Sequence, residues 1–84
     1  MYEVRYTADA LKTLRRIPRT TALLIRAKVT ALAADPMAAQ QVKKLKGRDA
    51  YRLRVGDWRV IYEIENGRMV IIVVKIGPRG DVYD

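Results

Sequence analysis

Two dipeptides, Gly56-Asp57 and Asn66-Gly67, constrain the fold more than any other feature of this chain. Each separates runs rich in Val, Ile, Tyr and Trp. Such pairs favour the two-residue hairpin turns whose backbone twist matches that of the flanking strands. They predict strands over Tyr51–Val55, Trp58–Glu65 and Arg68–Ile76, joined as an antiparallel meander.

The first half reads differently. Tyr2-Glu3-Val4-Arg5-Tyr6 alternates apolar and charged side chains, as a half-buried strand does. Thr7 has a hydroxyl that can cap a following helix, and Asp9 suits the positive end of its dipole. Leu11 and Leu14 share a face of that helix, Arg15 and Arg16 close it, and Pro18 interrupts it. A second helix is predicted over Arg19–Ala34, with Ala22, Ile25, Val29 and Leu32 as its buried stripe. Asp35-Pro36 ends it, because a residue before proline is pushed out of the helical region. Residues 37–50 show no clear pattern beyond a turn at Gly47, preceded by Lys43-Lys44-Leu45-Lys46. The whole is a single α+β domain spanning residues 1–84, of order βααβββ. Two N-terminal helices are expected on one face of a small, mainly antiparallel four-stranded sheet.

Composition narrows the chemistry. The chain has neither cysteine nor histidine, which removes disulfides, thiolates and imidazole acid–base work together. Its carboxylates form no spaced pair of the metal or glycosidase kind, and no Gly-rich phosphate loop precedes a helix. No metal or cofactor is expected. The longest apolar run, Met69–Val74, falls far short of the roughly 18 residues that span a bilayer. Nothing resembles a secretory signal, so a cytoplasmic protein is expected. Seventeen Lys and Arg against nine Asp and Glu give a formal charge of +8. That excess points to a polyanion: nucleic acid, an acidic protein or an anionic membrane surface.

The first hairpin focuses this charge. A two-residue turn pairs Arg54 with Arg59 and Arg52 with Ile61, so three guanidiniums share the face opposite Leu53, Val55 and Val60. Like charges directly opposite one another cost up to about 1 kcal/mol. Strict alternation places Ile61, Ile72, Val74 and Ile76 beside them as an apolar floor. Guanidiniums present forked donors that match phosphate oxygens. Arginines on a solvent face also serve solubility alone, and both readings stand at this point. Lys43, Lys44 and Lys46 are candidates to grip an RNA backbone.

One reaction suits such residues. A ribose 2′-hydroxyl can attack its own neighbouring phosphate, provided it is held in line, loses its proton and has the negative phosphorane stabilised. Arginines supply the stabilisation but are poor bases. A tyrosine surrounded by guanidiniums is a conceivable base, since they favour its phenolate.

The stretch Tyr51-Arg52-Leu53-Arg54-Val55-Gly56-Asp57-Trp58-Arg59-Val60-Ile61-Tyr62-Glu63-Ile64 closely resembles the hairpin of the RelE/ParE toxin superfamily of type II toxin–antitoxin systems. Gly77-Pro78-Arg79-Gly80-Asp81-Val82-Tyr83 resembles its C-terminal signature. The resemblance implies a RelE-like, metal-independent endoribonuclease that cuts mRNA in the ribosomal A site and pairs with a cognate RelB-like antitoxin. By position, Arg52, Arg54 and Arg59 would hold the phosphate. Tyr83 would take the 2′-hydroxyl proton and Arg79 would aid the leaving oxygen. The other branch, ParE-like, inhibits DNA gyrase by binding and shares the hairpin. Two features depart from the family pattern. Pro78 stands where many relatives carry a basic residue, and no helix is expected after Tyr83.

Overall fold

Thr7 starts the first helix as the sequence predicts. Its Oγ1 accepts a hydrogen bond from the Ala10 amide at 3.2 Å, capping α1 (Ala8–Arg16). Asp9 lies in the first turn and Arg15 and Arg16 in the last, each favourable to the helix dipole. Ile17 is extended, as the residue before Pro18 must be. α2 then runs Arg19–Ala34 and buries Ile25, Val29, Leu32 and Ala33. This is the computed structural model of the chain, and it describes residues 1–38, 41–47 and 49–78.

The remaining elements are β1 (Glu3–Tyr6), β2 (Val42–Lys44), β3 (Ala50–Val55), β4 (Trp58–Glu65) and β5 (Val70–Pro78). They form one five-stranded sheet in the order β1-β5-β4-β3-β2. β1 is parallel to β5 and the other pairs are antiparallel. The α+β class and the mainly antiparallel sheet are as expected. The added strand is β2, in a stretch where the sequence alone shows no clear pattern. It pairs Val42 with Leu53, Lys43 with Arg52 and Lys44 with Tyr51.

Helices cover one face only. Ala10, Leu14, Ile25, Val29 and Leu32 pack there against Leu53, Val55, Val60, Tyr62, Ile71, Val73 and Ile76. Among the described residues, no helix is long and apolar enough to cross a membrane.

The two hairpins close differently. Gly56 has φ +58°, a conformation that costs an L side chain and suits the primed turns, and the first hairpin takes the two-residue register. The second does not. Glu65 pairs with Val70, so residues 66–69 all lie in the loop. Arg68 donates to the Glu65 carbonyl, Met69 donates to that of Asn66, and Met69 itself takes φ +53°. The loop is therefore four residues long, and β5 begins two residues later than Asn66-Gly67 alone suggests. A two-residue shift preserves which face each side chain takes.

Tyr62, 1 % exposed, stacks on Tyr51 with ring centroids 5.5 Å apart. Burial, then proximity to Tyr51, pushes its phenol up from 10 to about 12. Unfolded chain therefore ionises first as pH rises. The contribution from this group is intact below pH 10 and is lost between pH 10 and about 12. The loss amounts to about 2–3 kcal/mol. Tyr62→Phe is expected to flatten that alkaline decline, measured by urea unfolding at a series of pH values. An unchanged alkaline limb would remove Tyr62 as its cause.

Candidate functional site

β3 and β4 build the cationic face because their register is fixed by Gly56 at one end and by the buried stripe below. Arg54 lies directly opposite Arg59, and Arg52 opposite Ile61. Arg59 is 6 % exposed, the one buried charged side chain among the described residues. Its Nε has no hydrogen-bond partner among the described residues, and Nη1 reaches the Trp58 carbonyl at 3.4 Å. A charged, dehydrated donor left unused costs free energy that an arriving anion would return. Arg52 is half-buried and Arg54 is exposed. Glycine lies opposite Arg59 on the other side, at Gly77, so no side chain from that position competes for the space beside the guanidinium.

The apolar floor is different from the one that alternation predicts. Tyr62 pairs with Val73 but Ile61 pairs with Lys75, so Val74 is an extra residue, a β-bulge. Beyond it the faces exchange. Ile76 turns into the helix-side core, and Lys75 joins Ile61 on the arginine face. Ile61 is also covered rather than open: it is 2 % exposed, clustered with Ala50 of β3 and with Leu45 from the β2–β3 turn. The Leu45 amide holds that turn through the Ala50 carbonyl at 2.9 Å.

The three lysines of the basic cluster separate. Lys43 pairs with Arg52 and so shares its face. Lys44 alternates to the other side, lining a cleft of about 230 Å³ with Pro36, Met37, Tyr51 and Tyr62. Lys46 is exposed in the turn at Gly47. Arg79 and Tyr83 lie outside the described residues. Tyr6 and Tyr62 both have raised values, through burial. That is the wrong direction for a base at neutral pH.

A family model described as the ParE toxin of the type II toxin–antitoxin system parDE matches residues 4–83. The chain belongs to the RelE/ParE toxin superfamily. Its relatives place it on the RelE-like branch. It is 23% identical to Toxin RelG of Mycobacterium tuberculosis, over 98% of this chain and 95% of that protein. It is 32% identical to a chain of the archaeal RelE–RelB complex from Pyrococcus horikoshii, with a TM-score of 0.83 over 95% of this chain and 97% of that one. The isolated RelE toxin of E. coli shares the fold, with a TM-score of 0.80 at 22% identity, covering 94% of this chain and 85% of that one.

Lys75 is the residue that sequence reasoning about this RelE-like toxin missed. A signal was present. Regular alternation from Ile71 and Val73 would drive an ammonium into the core, and such a conflict is itself a reason to expect a bulge.

Proposed function

We propose that this RelE-like toxin is a ribosome-dependent endoribonuclease, cutting messenger RNA in the A site. The observation that carries the reading is the cross-strand meeting of Arg54 with the buried, under-used guanidinium of Arg59. Two forked cations at one point suit the extra negative charge of a phosphorane better than they suit an unreacted diester. Arg52 adds charge from two residues along β3, and Lys43 from the strand beside it.

In this mechanism the 2′-oxygen bonds to the adjacent phosphorus as the bond to the 5′-oxygen breaks. Tyr83 takes the 2′-hydroxyl proton as phenolate, and Arg79 hydrogen-bonds the departing 5′-oxygen, which takes a proton from solvent water and is released as a hydroxyl. The step requires no metal or cofactor. It depends on in-line alignment, which this open sheet face does not impose on a free strand. The ribosome supplies it by holding the messenger, with Lys44 and Lys46 available to contact RNA outside the reacting centre. The toxin acts in the cytoplasm, where ribosomes and messenger are.

RelE–RelB complexes of the same fold support a RelB-like antitoxin as its partner. A flexible acidic segment folding over the cationic face would neutralise it and deny it to RNA.

Adding the purified toxin to translating ribosomes and mapping messenger ends tests the reading. Cuts within the A-site codon, leaving a cyclic phosphate and a free 5′-hydroxyl, are expected. The match to a ParE-described family favours one alternative, gyrase inhibition by binding. Intact messenger together with accumulated gyrase–DNA cleavage complexes would replace the nuclease with that activity.

A further inference from the structure

We propose that Lys75 binds an RNA phosphate flanking the one that reacts, at the end of a cationic row opposite to Lys43. The proposal rests on the nuclease reading for its substrate but on separate geometry. Lys43 pairs with Arg52, Arg52 with Ile61, and Ile61 with Lys75. These four residues form one line across β2, β3, β4 and β5. At about 4.8 Å per strand it spans roughly 14 Å. The next row, two residues along, holds Arg54, Arg59 and Gly77. Lys75 is therefore one diagonal step from Arg59, within reach for a long side chain.

The bulge at Val74 creates this placement. It is tied down from outside the sheet: the Thr7 hydroxyl donates to the Val74 carbonyl at 2.7 Å, and the Thr7 amide to that of Val73 at 3.0 Å. The position of Lys75 thus follows from a held backbone rather than from a loose strand end. Lys75 is exposed, and the ion pairs between described residues lie elsewhere, at Glu3–Arg5 and Glu65–Arg68. With no ion pair to another described residue, its ammonium adds to the like-charge crowding beside Arg59. A lysine serving solubility alone would relieve no such crowding, whereas a polyanion laid across the strands relieves all of it.

The division of labour follows from burial. Arg59 is dehydrated and oriented, as a group acting on a developing charge should be. Lys75 is a hydrated point charge on a flexible stem, suited to holding a phosphate whose position varies. It touches RNA without acting on the reacting bond.

The test uses a 2′-O-methyl RNA oligonucleotide, which cannot be cleaved because the attacking hydroxyl is blocked. Affinity is measured against salt for the wild-type chain, Lys75→Ala, Lys75→Arg and the control Lys12→Ala, on exposed α1 surface. Lys75→Ala is expected to lower affinity about tenfold at low salt and to reduce the slope of log K against log salt by about 0.7, one phosphate contact. Lys75→Arg should restore both, and Lys12→Ala should change neither. In ribosomal cleavage, Lys75→Ala should raise KM about tenfold with kcat within twofold. Equal slopes for wild type and Lys75→Ala, with cleavage intact, overturn the assignment and leave the nuclease standing. A reduced slope in a wild-type background that cuts no messenger supports Lys75 and overturns the nuclease. A wild-type chain with no salt-dependent RNA binding overturns the Lys75 assignment, and ribosomal cleavage alone then decides the nuclease.

Discussion

Arg59→Met should abolish messenger cleavage while making the chain harder to unfold. The two effects have one cause. Arg59 is buried, leaves Nε without a partner among the described residues and faces Arg54 across the hairpin. In the free protein that arrangement is unfavourable, and methionine fills much of the same space with no charge to dehydrate. Removing the cross-strand repulsion and the unsatisfied donor should stabilise the fold by roughly 1–2 kcal/mol. For a domain of this size that raises Tm by roughly 4–16 °C. Losing a preorganised donor to the phosphorane should lower kcat about a hundredfold to a thousandfold. Thermal unfolding and ribosomal cleavage on the same preparation measure both. A variant less stable than wild type would mean that Arg59 holds the fold together and is not held in reserve for an anion.

Thr7→Val should have the largest effect on stability of any exchange that preserves side-chain shape. The hydroxyl does two things at once: it accepts from the Ala10 amide and donates to the Val74 carbonyl. Valine keeps the branched shape and loses both bonds. The helix cap contributes about 1 kcal/mol, and a part-buried carbonyl left without a donor costs about 1 kcal/mol more. Thr7→Ser, which keeps the hydroxyl, should retain most of this. Urea unfolding gives the stabilities, and hydrogen exchange at the Ala10 amide locates the change. Equal stability of Thr7→Val and Thr7→Ser would show that the hydroxyl does neither job.

What could be read from the sequence was local. The α2 boundaries follow from its buried stripe and from prolines at both ends. The first hairpin follows from Gly56, whose positive φ few other residues adopt cheaply. Both determine the facing of Arg52, Arg54 and Arg59, so the centre of the candidate site was legible. What failed depended on distant partners. β2 is three residues with two exposed lysines, and only β3 makes it a strand. Asn66-Gly67 is a strong turn signal, yet the loop takes four residues because Met69 accepts a left-handed conformation to close it. Lys75 signals that alternation must break, but Val74 sits in an unbroken apolar run where nothing local marks the extra residue. The displaced carbonyl finds its donor 67 positions away, at Thr7.

The parallel seating of β1 on β5 bears on when the cationic face forms. β1 has β5 as its sheet neighbour, so the strand of this sheet that is made first must wait for the one made last. The helices and the β3–β4 hairpin can gather during synthesis, but the sheet cannot close until β5 has been delivered. Gly77, the neighbour of Arg59, arrives at the same late moment. The cationic face is thus completed only in the step that also joins the first strand of the sheet to the last.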